Sequence, residues 1–128
     1  MGEAEMSLRV PGDQAYALVI RTALGGVAFL KNLDVDAMDD LRTAADEACD
    51  CLLHQGRAVE ALEVGVFDGG KRLTVSLRAK FTGAKRADCA EDTAVSQAIL
   101  ETLVPEVSFA HAPCGCVERI DLTLPKAV

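Results

Sequence analysis

Five cysteines, at positions 49, 51, 89, 114 and 116, are the residues of this 128-residue chain best equipped to do chemistry of their own. Two C-x-C pairs invite a metal reading, because thiolates hold zinc and other soft ions. Cys49 and Cys51 fall in a stretch with helical spacing. Two residues at about 100° each put their side chains about 200° apart, so these two cannot share one ion. His111, Cys114 and Cys116 offer three ligands, with Cys89 as a fourth, but in a spacing that is not that of a standard zinc knuckle. The plainer reading is small buried or turn cysteines, and no metal is expected. The odd number does not suggest a disulfide framework. The acidic start, Met1-Gly2-Glu3-Ala4-Glu5, lacks the basic and apolar parts of a signal peptide. A cytoplasmic location with reduced thiols is the expectation.

Carboxylates form the second candidate group. Glu47, Asp50 and His54 share one face of the same helical stretch, where an acid, a base and a titratable ring could move protons. Without further context they read as a solvated face, with His54 a favourable cation near a helix C-terminus. Around them, Asp34, Asp36, Asp39, Asp40, Asp46, Glu47 and Asp50 are opposed within the segment only by Arg42. Acids in a first helical turn are favoured by the dipole, but Asp46 and Asp50 lie too far along for that. A one-sided acidic surface steers basic protein partners, so Asp46 and Asp50 are the expected partner-binding residues. The whole chain agrees: 13 Lys+Arg against 20 Asp+Glu give a net charge of -7, which disfavours nucleic acid. Aromatics at 4% leave few residues to stack on bases. Arg78, Lys80, Lys85 and Arg86 form the one basic cluster, read as a solvated loop or a contact for phosphate or acids. The longest apolar run is interrupted by Arg21 and Lys31, too short to cross a membrane.

The elements that must position these residues follow from periodicity. Met6 to Val10 is a short strand ended by Pro11-Gly12. Asp13 caps a helix on which Tyr16, Val19, Ile20, Ala23, Val27 and Leu30 recur, with Gly25-Gly26 allowing close packing. A second helix runs from about Val35 to Gln55, with Gly56 as its stop. Its apolar stripe is Met38, Leu41, Ala45, Ala48, Cys49 and Leu52, and Thr43, Glu47, Asp50, Cys51 and His54 face away. The period then changes to two: Leu62, Val64 and Val66, then Leu73, Val75 and Leu77, flank the turn Asp68-Gly69-Gly70-Lys71 as a hairpin. That turn is no phosphate loop, since it lacks the Lys-Ser/Thr ending and no helix follows. A third helix spans about Glu91 to Val104, with Val95, Ala98, Ile99 and Thr102 on one face. A second hairpin closes the chain around Ala112-Pro113-Cys114-Gly115. The order β-α-α-β-β-α-β-β over residues 1–128 predicts a single α+β domain. It is a two-layer sandwich with a mixed or antiparallel sheet, hairpins 59–78 and 107–124 in that sheet, and three helices on one face. The expected core is Leu41, Ala45, Leu52, Val64, Val66, Val75, Leu77, Ile99, Ile120 and Leu122.

That order, with Leu41-Arg42-x-Ala44-x-x-Glu47-Ala48 on the second helix, resembles the histidine-kinase-like ATPase (Bergerat) fold. The match is to its small branch, the anti-sigma-factor serine kinases of bacterial partner-switching systems. The resemblance implies that Glu47 stands at the position of a catalytic glutamate. Four residues on, where the family has an Asn that coordinates the magnesium on ATP, stands Cys51. A thiol is a poor substitute, because Mg²⁺ demands oxygen. His54 falls seven residues after Glu47 where the family's His falls eight. Ala79 takes the place of the Asp that meets the adenine, Phe81 that of the first Gly of the adenine box, and only Gly83 of that box survives. The lid is cut to residues 84–90 and holds no glycine, so it has little with which to wrap a triphosphate. Cys51, Ala79, Phe81 and Gly83 are therefore expected to be non-functional counterparts of an ATP and magnesium site. The resemblance, with these losses, implies a regulatory protein-binding module like a bacterial anti-sigma factor, without a cofactor. Its partner would be a sigma factor or an anti-sigma antagonist. The alternative is an ATP-dependent anti-sigma serine/threonine-protein kinase with a diverged site, using Glu47 as base, ATP and Mg. The family's habit of pairing through the N-terminal strand and first helix implies a homodimer using Leu8, Val10, Tyr16 and Ile20. A third reading is a thiol or metal protein using Cys89, Cys114 and Cys116.

Overall fold

The computed structural model describes residues 2–82 and 93–127. The expected order is found. β1 (Met6–Pro11) is followed by a single 3₁₀ turn over Gln14–Tyr16, then α1 (Ala17–Leu30), α2 (Val35–Leu53), β2 (Val59–Asp68) and β3 (Arg72–Phe81). α3 (Ala94–Leu103), β4 (Glu106–His111) and β5 (Val117–Pro125) complete it. The sheet order is β1-β2-β3-β5-β4, and every pairing is antiparallel. The mixed sheet that was open as an alternative is not formed.

Local chemistry sets the element ends. Asp13 accepts a hydrogen bond from the N–H of Ala15, but the turn it starts is 3₁₀, and α1 begins only at Ala17. Asp34 caps α2 through the N–H of Ala37 at 2.8 Å. The β2–β3 turn needs Gly70, whose φ of 86° suits a residue without Cβ, and its N–H is held by Asp68 Oδ1.

One hydrophobic core joins the sheet to the helices. Leu62, Val64 and Val66 of β2, Leu73, Val75 and Leu77 of β3, and Ile120, Leu122 and Leu124 of β5 all point into it. α2 lies at the middle of the helical layer. It packs on β2, β3 and β5, with α1 on one flank and α3 on the other. That position corrects three expectations. Cys51 does not face away from the core but lies within it, because α2 is covered on its α3 flank as well as by the sheet. On α3 the buried residue is Leu100, whereas Ile99 is exposed, so the predicted face is off by one residue. On α1 the buried set is Ala17, Ile20, Leu24, Val27 and Ala28, and Val19 and Leu30 are turned outward. Val10 and Ile20, expected at a dimer interface, have their side chains buried in the core of the single chain.

Candidate functional site

The second helix and the end of β3 place most of the predicted site. Glu47 is half-buried on the α3 flank of α2, where the hydroxyl of Ser96 donates to its Oε2 at 2.7 Å. Ser96 also hydrogen-bonds Cys51, one turn further along α2. Ser96 is a site residue that sequence reasoning missed, since nothing in the helical spacing of α3 shows which of its residues meets α2. Burial pushes the Cys51 thiol up to about 11, and the nearby charges of Glu47 and Asp50 add to the shift. Cys51 is therefore a neutral core thiol at neutral pH.

Ala79 pairs with Leu62 across β2–β3 and is 2% exposed, while Cys51 is 3% exposed; both belong to the hydrophobic core. Phe81 packs its ring partly on that core and partly under Arg57, whose guanidinium carbon lies 4.5 Å from the ring centroid. Gly83, the segment 84–90 with Lys85 and Arg86, Cys89 and the predicted helix start at Glu91 lie outside the described residues.

The acidic face is more neutralised than its sequence suggests. Arg21 of α1 reaches Asp46 at 3.2 Å, Arg42 pairs with Asp39, and His54 Nδ1 lies 2.9 Å from Asp50 Oδ1. Arg42 is thus not the only opposing cation. Arg21 comes from another helix, where helix-local reading cannot find it. These pairs remain solvent-accessible, with Asp46 and Asp50 side chains 42% and 56% exposed. Arg21, Arg42, Asp39 and Asp46 line a polar groove of about 790 Å³ between α1 and α2. A Cβ on Gly25 would sit 3.3 Å from Cδ of the exposed Arg42 side chain, and one on Gly26 would meet nothing within 4 Å, so the expected close packing at this glycine pair is not found.

A second residue missed by the sequence anchors the closing hairpin. Gln55, just beyond α2, is fully buried; its Oε1 accepts from the N–H of Val117 at 2.7 Å and its Nε2 donates to the Val117 carbonyl at 2.8 Å. The cysteines separate. Cys49 and Cys51 are buried and free, Cys114 is half-buried and free, and Cys116 is disulfide-bonded, a departure from the fully reduced state expected. Among the described residues no three His, Cys, Asp or Glu side chains converge as metal ligands, and no helix is long and apolar enough to cross a membrane.

No protein-family model and no curated protein matches the chain. Among solved structures it is similar to the crystal structure of the RsbU and RsbW domains of Rv1364c from Mycobacterium tuberculosis, with a TM-score of 0.66 at 16% sequence identity. The likeness covers 94% of this chain and 32% of that one, so this chain spans about a third of the length of the two-domain chain it matches. What the likeness shows is the fold: a five-stranded antiparallel sheet under three helices, in the order read from the sequence.

Proposed function

We propose that this chain is a regulatory protein-binding module of the anti-sigma type that does not use ATP. The observation that carries the reading is that Cys51 and Ala79, at the metal-side and adenine-side positions of the resembled family, are both core residues. Ala79 offers no acceptor to an adenine amino group, and Cys51 offers magnesium a neutral, buried thiol in place of an oxygen. Losing one hydrogen bond to a buried polar group costs about 1–3 kcal/mol, and each 1.4 kcal/mol is tenfold in affinity. Two or three such losses carry a micromolar site to millimolar or weaker. The fold shared with the RsbU and RsbW domains of Rv1364c supports a sigma factor or an anti-sigma antagonist as the partner class. Asp46 and Asp50, accessible on α2, would meet its basic surface. A homodimer belongs to the same reading. β1 is an edge strand, and beside the half-exposed Tyr16 and Leu8 the outward side of α1 carries Leu18, Val19, Phe29 and Leu30, the last two 72% and 75% exposed.

One observation favours the kinase as a second reading: Glu47 already accepts a hydrogen bond from a hydroxyl, that of Ser96, which is what a base must do for a substrate serine. Calorimetric titration with Mg-ATP separates the two. The scaffold reading expects no heat of binding in the micromolar range, and the kinase reading expects saturation and phosphate transfer that Glu47→Ala abolishes.

A further inference from the structure

We propose that Cys114 is a thiol-modification site that forms mixed disulfides with small anionic disulfides. The group is built from three elements. Arg57, in the α2–β2 connection, donates from Nη1 to Cys114 Sγ at 3.1 Å while its guanidinium lies over the Phe81 ring at the end of β3. A charged donor thus faces the sulfur and is held there by an aromatic ring, whereas a free surface arginine would wander. Cys114 stands in the β4–β5 turn, half-buried, so the sulfur has a fixed cation in a residue that is partly open to solvent. The backbone N–H of Cys116 and then Arg57 hold its thiol below the usual range. Arg57 also lines a cleft of about 430 Å³ with Arg78, Lys80, Phe81 and Pro113. Its cations outnumber its acids, Glu63 and Glu118. Glu63 is already paired with Arg9 at 2.9 Å, while Glu118 lies at 4.0 Å from Arg78. In a chain of net charge -7 this is a local positive field next to a nucleophile, which is what an anionic reagent needs. The other two free thiols among the described residues lack all of this: Cys49 and Cys51 are core residues, pushed up to about 12 and about 11 by burial.

The step balances. The Cys114 thiolate attacks one sulfur of the small disulfide. A bond forms between it and Cys114 Sγ as the original S–S bond breaks, and the second sulfur departs with the electron pair as a thiolate. Cys114 is oxidised, the departing thiol is reduced, and the proton of Cys114 has already gone to solvent.

The test is to incubate the intact chain with oxidised glutathione or with cystamine, its cationic counterpart, and to follow adducts by intact mass and peptide mapping. Expected are one adduct per chain at Cys114, a several-fold faster reaction with oxidised glutathione at low salt, and convergence of the two rates as salt rises. Arg57→Ala should slow the reaction at pH 7 and move the midpoint of the pH–rate profile upward, since Arg57 is one of the groups that lower the thiol's pKa. Cys49 and Cys51 stay unmodified in a folded chain, so their labelling would expose a variant that fails to fold. The comparison of the two reagents on the unaltered chain then decides alone. Adducts elsewhere, no adduct, or cystamine reacting as fast would overturn the proposal.

Discussion

Replacing Gln55 by Leu should destabilise the fold more than any other polar-to-apolar change of similar volume. The side chain is fully buried and closes a two-bond bridge to the backbone of Val117, itself buried at the start of β5. Leu keeps the volume, so no large cavity opens, but it leaves the Val117 N–H and carbonyl facing apolar atoms. An unsatisfied buried group costs about 1–3 kcal/mol, so two together cost roughly 2–6 kcal/mol, a large share of a typical domain's stability. Gln55→Glu is the informative partner variant. It retains an acceptor for the Val117 N–H, but sets an oxygen and a buried charge against the Val117 carbonyl, and should also destabilise at neutral pH. Urea denaturation followed by circular dichroism reads both, with the midpoint falling at an unchanged m-value. A loss below about 0.5 kcal/mol for Gln55→Leu would refute the argument, because it would mean that the Val117 groups find other partners at no cost.

Three further outcomes follow from single features. Asp68 is held well below the usual carboxylate range by the Lys126 ammonium first, then the Gly70 N–H and Lys31. Its contribution is therefore present above the unfolded value near 3.8 and fades as pH falls from there toward its lower folded value. Asp68→Asn should accordingly flatten the acid limb of a stability-against-pH curve. Gly12→Ala should lower the unfolding midpoint by the equivalent of about 1–3 kcal/mol, as overpacking does, because a Cβ there would lie 2.1 Å from the Val59 carbonyl oxygen. Reversing the charge of Asp46 and Asp50 should slow association with a basic partner and weaken its salt dependence, measured by stopped-flow or surface binding. The cost in stability should stay within about 1 kcal/mol for each site, since Asp46 meets Arg21 and Asp50 meets His54 at solvent-exposed positions.

The strands were legible because the pleat gives a period of two that no packing can alter. Val64, Val66, Val75, Leu77, Ile120 and Leu122 were read as inward-facing, and they are. Helix faces were harder. α1 is apolar on most sides, so Ile20 and Val27 were found, but Leu30 was assigned inward when it is exposed. α2 was read with one buried stripe, while its central place between α1, α3 and the sheet buries Cys51 as well. The site suffered most where it depends on pairs from different elements. Ser96 with Glu47, Arg21 with Asp46, Arg57 with Cys114 and Gln55 with Val117 are separated by 25 to 62 positions, and no local pattern encodes such meetings.

The most direct test of the central claim is isothermal titration of the chain with ATP in the presence of magnesium, accompanied by a phosphate-transfer assay against a basic protein partner. With Cys51 and Ala79 in the core, no saturable binding below the millimolar range and no transfer of phosphate are expected. A dissociation constant in the low micromolar range, or transfer that disappears in Glu47→Ala, would contradict it and make the chain a kinase.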